Sequence, residues 1–116
     1  MNKSEFITKV SEKRFCDNFI CSIFGIKTLN ESVLLIYSKE LYDNAEEFVK
    51  SLPIQNRQVM ETFFREGKSI EEIGKKLSID NDIVGRIVAE FLRFMRHPSR
   101  AKQFSQYTIR LEDDTN

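Results

Sequence analysis

The residues of this chain that could do chemistry are few and poorly grouped. Gly67-Lys68-Ser69 has the ending of a phosphate loop, but that motif needs a glycine five residues before the second one, and position 62 holds Thr62. No strand is expected ahead of it either. A helix end followed by a helix cap accounts for these three residues. His97 is the only histidine, so a serine or cysteine triad could be built only around it. Its neighbours Pro98 and Arg100 suggest a helix boundary, where His97 would hydrogen-bond the backbone or touch phosphate. Cys16 and Cys21 are too few for a disulfide framework and lack the tight spacing and extra ligands of a zinc site. Buried, reduced thiols in a reducing cytoplasm are the expectation. Acidic residues are scattered singly or sit on exposed helix faces, as with Glu46-Glu47 and Glu71-Glu72. There is no metal cluster, no cofactor motif and no nucleophile with a base, so an enzyme is not expected.

Charge distribution is more informative. The chain has 18 basic and 18 acidic side chains and a formal net charge of zero, which rules out a general polyelectrolyte binder. Yet Arg86, Arg93, Arg96, Arg100 and Lys102 fall within one short stretch that contains a single acid, Glu90, while the end turns acidic at Glu112-Asp113-Asp114. A basic stripe in a neutral protein fits local contact with phosphate; a solvated helix face is the plainer alternative.

The elements that would position this stripe lie between Ser69 and Arg100. Ser69 with Glu72 forms a capping box, and Ile70, Ile73 and Leu77 make one helical stripe. Ser78-Ile79-Asp80-Asn81 interrupts it with turn-forming residues. Asp80 or Asn81 can then cap a second helix bearing Ile83, Val84, Ile87, Val88, Phe91, Leu92 and Met95 at three- and four-residue steps. A helix-turn-helix needs a small residue where the helices cross and an apolar plug in the turn; Gly74 and Ile79 supply them. Many such turns place glycine, for its positive φ, where this chain has Ser78.

The run from Leu52 to Phe104 resembles the promoter-reading region four of bacterial RNA polymerase sigma factors. LPIQNRQVMETFF resembles the family's entry helix, SIEEIGKKL its supporting helix, and MRHPSR its closing leucine-arginine-histidine-proline-serine-arginine signature. The resemblance implies that the second helix enters the major groove of double-stranded DNA. By position, Asp82 keeps the family's acid, Arg86 stands where the family has glutamine, and Asn81 and Gly85 replace two arginines. Asn81, Asp82 and Arg86 are therefore the base-reading candidates, and Ser69, Arg93, Arg96, His97, Arg100 and Lys102 the phosphate candidates. The resemblance also implies a partner, the β flap of bacterial RNA polymerase, and hence a rival reading: a protein–protein adaptor, or a sigma or anti-sigma partner, without specific DNA reading. Nothing in the chain matches the region that melts DNA, so it would act with a partner or as a small regulator.

The rest of the chain reads as support. The expected fold is all-α, a small helical bundle of around seven helices without a sheet. It divides into an N-terminal helical support (1–52), the helix-turn-helix unit (53–104) and a loose acidic tail (105–116). A first helix, or a frayed arm, is expected over Met1–Arg14 with Phe6, Ile7 and Val10 inward, then a stripe from Phe15 to Phe24 ending at Gly25. Thr28 with Glu31 suggests another capping box, opening a helix with Val33, Leu34, Leu35 and Ile36 inward. Val33, Ile36 and Tyr37 are β-prone, so a strand between Ser32 and Ser38 is the alternative; helix is preferred because the caps agree and no partner strand is apparent. Ser38 would cap the next helix, and Pro53 would open one that Gly67 ends. FGIKTLNESVLLIYSKEL faintly resembles the C-terminal domain of the α chain of RNA polymerase. No apolar run approaches a membrane span, and the first residues lack a signal-peptide pattern.

Overall fold

A computed structural model describes residues 6–25, 35–105 and 108–110 of the chain. These form, in order, α1 (Val10–Phe24), β1 (Leu35–Tyr37), α2 (Lys39–Lys50), α3 (Ile54–Glu66), α4 (Ile70–Leu77), α5 (Asn81–Met95), α6 (Pro98–Ser105) and β2 (Thr108–Arg110). The fold is dominated by helix, as the succession of caps and stripes predicts, but it is not free of sheet.

Aromatic residues build the centre. On α1, Phe15 and Phe19 are fully buried and their rings meet Phe64 of α3 at 5.4 and 5.2 Å. Both helices stop at a glycine in the left-handed region, Gly25 at φ 73° and Gly67 at φ 65°, where a side chain would be strained. The Asn18 side chain of α1 donates to the Phe64 carbonyl at 2.7 Å, satisfying a carbonyl in the last turn of α3. Phe104 of α6 is buried against Phe19 and Phe48, so one cluster runs from Ile7 to Phe104 and draws on both halves of the chain.

A buried charge cluster pins α2 to α3. Arg65 pairs with Glu46 and with Glu61 (2.5 Å), donates to the Tyr42 hydroxyl (2.7 Å), and lies 4.9 Å from the Phe15 ring centroid. Glu46 is only 5% exposed, and its Oε1 has no hydrogen-bond partner among the described residues. Burial raises the Glu61 carboxyl, with Lys50 and Arg57 pulling it back down. Such a pair holds two helices in one register; removing Arg65 leaves the buried Glu46 carboxylate uncompensated, whereas Arg65 is half-buried and keeps Glu61.

Two expectations are corrected. The β-prone run is strand, not helix: Leu35–Tyr37 pairs antiparallel with Thr108–Arg110, Leu35 opposite Arg110 and Tyr37 opposite Thr108. Nothing near this run in the sequence offers it a partner strand; the partner lies in the stretch expected to be a loose tail. On the N-terminal side, Phe6 bridges Ser38 and the Ile7 N–H donates to the Tyr37 carbonyl at 3.1 Å, so Phe6 and Ile7 are extended rather than helical. Val10 opens α1 at 70% exposure and contributes nothing to the core. Tyr37 is buried, its hydroxyl donating to Asp17 at 2.6 Å. Ser38 caps α2 as expected, accepting from the Leu41 N–H. The Thr28–Glu31 box, residues 26–34 of the run that resembles the α-chain domain, and the acidic residues 112–114 lie outside the described residues.

Candidate nucleic-acid interface

The unit formed by α4, a three-residue turn and α5 carries the predicted site. Its capping box is formed: the Glu72 N–H donates to Ser69 Oγ at 3.1 Å and the Ser69 N–H to Glu72 Oε1 at 2.8 Å. That backbone donor holds the Glu72 carboxyl below the usual carboxylate range. At the other end Ser78 sits at φ 58°, the one non-glycine residue with positive φ among the described residues. The Ser78 and Ile79 N–H groups both turn back to the Gly74 carbonyl, a Schellman-type close with serine in glycine's usual place. Gly74 is buried because the turn folds over it: a Cβ there would meet the Asn81 Oδ1 and come within 2.7 Å of the Ile79 carbonyl oxygen. On α5, Val84, Ile87, Val88, Phe91 and Met95 are buried, whereas Ile83, expected inward, is 38% exposed. Asp80 is the N-cap but its side chain makes no capping bond; its backbone carbonyl receives the Ile83 and Val84 N–H groups instead.

The base-reading candidates lie on the first two turns of α5. Asp82 and Arg86 are exposed, four residues apart on the face opposite the core stripe. No ion pair joins Arg86 to Asp82 or Glu90 among the described residues. Asn81, though exposed, places its Oδ1 beside Gly74, against the turn.

The phosphate candidates separate into two groups. Arg93 is exposed, two turns beyond Arg86 on the same outer face. Arg96 instead directs Nε and a terminal nitrogen at the Ser22 carbonyl of α1 (3.1 and 2.7 Å), closing the last turn of that helix. Arg100 donates to the Phe94 carbonyl at 2.7 Å and lies 3.7 Å from the centre of the Phe94 ring. His97 Nδ1 accepts from the Ser99 N–H at 3.3 Å and contacts Ser99 Oγ at 2.9 Å, so the imidazole caps α6. Ser69 serves the capping box, and Lys102 is exposed on α6. The basic stripe read from sequence is thus partly structural: two of its arginines hold helix ends.

Two grooves flank α5 that charge patterning did not reveal. One, of about 620 Å³, runs along the outer face over Gly85, Ala89, Arg93, and the edges of Ile70, Val88 and Leu92. The other, of about 350 Å³, lies between α5 and the α2–α3 junction, lined by Phe48, Leu52, Ile87, Phe91 and the 46%-exposed Phe94. The signal for the second was present in the sequence, since Phe94 falls off the core stripe of α5. Among the described residues no cluster of histidine, cysteine, aspartate and glutamate could hold a metal ion, and no helix is long and apolar enough to cross a membrane. Comparison with family models, curated proteins and solved structures finds no match to this chain, so its function is argued from its own residues.

Proposed function

We propose that this chain binds double-stranded DNA through a helix-turn-helix made of α4 and α5, with α5 in the major groove. One observation carries the reading. The exposed side of α5 presents Arg86 and Arg93 in line, without an ion-pair partner among the described residues, on a helix whose opposite side is anchored in the core. The arginine fork can meet the two acceptors of a guanine, and a helix N-terminal region is the part that reaches base edges. Arg86 is the base-reading residue and Arg93 a phosphate contact. The likeness of the sequence to sigma region four adds a setting, action beside bacterial RNA polymerase.

The second reading, a protein adaptor, is favoured by the apolar groove around Phe48 and Phe94, a surface that DNA reading does not require. Selecting duplexes from a random library, then profiling every single-base change for the parent and for Arg86→Ala, separates the two. DNA reading requires discrimination to relax mainly at one guanine–cytosine pair. A uniform loss would make Arg86 a phosphate contact, and a chain that selects no duplex would favour the adaptor.

A further inference from the structure

The groove on the outer face of α5 has a composition that phosphate contact does not explain. Its floor is apolar: Ile70 from α4 and Val88, Ala89 and Leu92 from α5. Gly85 keeps it open. A Cβ there would touch only the Ile70 Cδ1, at 3.7 Å, so the absence of a side chain leaves space rather than relieving a clash. The rim is cationic, with Arg93 and Arg96 lining the groove beside His97; Arg86, seven residues before Arg93, stands on the outer side of α5 next to the groove without lining it. The acids of α5 do not line it: Glu90 faces the other groove, and Asp82 lies a turn before Arg86.

An apolar floor inside a cationic rim fits an apolar group carried by a polyanion. In the major groove of DNA that group is the C5-methyl of a pyrimidine, and alanine is among the side chains that meet it. Resting on the DNA-binding reading above, we infer that Gly85 and Ala89 form a receptor for a pyrimidine C5-methyl group beside the base pair read by Arg86. Arg86 then supplies polar discrimination and Ala89 apolar discrimination, one turn apart on α5. A side chain at Gly85 would fill the space the methyl enters.

The test alters the DNA and leaves the protein intact. A duplex selected from a random library by the full chain is resynthesised with each thymine in turn replaced by uracil, and separately with each cytosine replaced by 5-methylcytosine. Binding is read by fluorescence anisotropy. One uracil should weaken binding on the order of fourfold, as expected for withdrawing one buried methyl group. In Ala89→Gly, with its helix content checked by circular dichroism, that difference should shrink. If the uracil forms bind alike but one 5-methylcytosine strengthens binding by a similar factor, the methyl comes from a modified cytosine and the receptor stands. A selected duplex indifferent to both changes overturns the receptor while leaving DNA binding in place. A chain that selects no duplex overturns DNA binding itself, and the receptor with it.

Discussion

Gly74 and Gly85 both sit inside helices, and the same substitution should move stability in opposite directions. Alanine in a helix interior is favoured over glycine by about 0.8–1 kcal/mol, and that gain is available at both sites. At Gly85 nothing opposes it, because the new methyl would make ordinary contact with the Ile70 Cδ1 at 3.7 Å. At Gly74 the methyl would stand 2.7 Å from the Ile79 carbonyl oxygen and against the Asn81 side chain. Asn81 can rotate away; the carbonyl cannot, since the Ile79 N–H is bonded to the Gly74 carbonyl at 2.9 Å. Overpacking of this kind costs about 1–3 kcal/mol, and opening that hydrogen bond adds about 1 kcal/mol. The net result for Gly74→Ala is a loss of about 1–3 kcal/mol, or roughly 4–12 °C in Tm for a chain of this size. Gly85→Ala should raise Tm by roughly 3–4 °C. Thermal melts followed by circular dichroism decide it. If Gly74→Ala melts at or above the parent, the turn does not fold over α4 as described.

Ser78→Gly should stabilise the chain by about 0.5 kcal/mol, because relief of the left-handed strain at φ 58° outweighs the added freedom of the unfolded chain; urea titration at constant m-value checks it. Arg65→Leu should cost about 3–5 kcal/mol by leaving Glu46 charged and buried, and Arg65→Leu combined with Glu46→Leu should recover much of it; if the double variant is no better than the single, the pair is not what joins α2 to α3. Stability should also fall in alkali. Burial, with the charges of Asp17 and Glu12, pushes the Cys16 thiol from 9.0 up to about 12, and burial with the bond to Asp17 raises the Tyr37 hydroxyl from 10.0. The unfolded chain releases these protons first, so stability is lost above pH 9 through Cys16 and above pH 10 through Tyr37 as well, by about 1.4 kcal/mol per pH unit for each group within its window. Cys16→Ala should flatten the part between pH 9 and 12, and an unchanged slope would remove Cys16 from the account.

Much of the helical scaffold was legible because its signals are local. Ser69 with Glu72, Ser38, Gly25 and Gly67 each mark a helix end by chemistry confined to a few residues, and each does so in the fold. The turn was legible for the same reason, although Ser78 counted against it; serine there takes the left-handed conformation usual for glycine. The strand at Leu35–Tyr37 was not, because a strand is decided by its partner, and Thr108–Arg110 lies far along the chain in a stretch without periodicity. The candidate interface was half legible. Helical spacing puts Arg86 and Arg93 opposite the core, but charge alone cannot tell that Arg96 reaches the Ser22 carbonyl or that Arg100 lies on Phe94. A long side chain is claimed by whatever acceptor the tertiary fold brings near it. The outer groove was missed because its determinants, Gly85 and Ala89, are defined by the room they leave.

The central claim is that the exposed side of α5 contacts duplex DNA, and the salt dependence of binding tests it most directly. Each phosphate neutralised by a side chain contributes about 0.9 to the slope of log K against log salt. The parent should bind a random-sequence duplex with a steep negative slope. Arg86→Ala combined with Arg93→Ala should reduce that slope by about two units if both then face phosphate. Arg96→Ala should leave the slope unchanged and lower the melting temperature, because its guanidinium holds the Ser22 carbonyl. Binding that is absent, insensitive to salt, or unaltered by the double substitution would contradict the account.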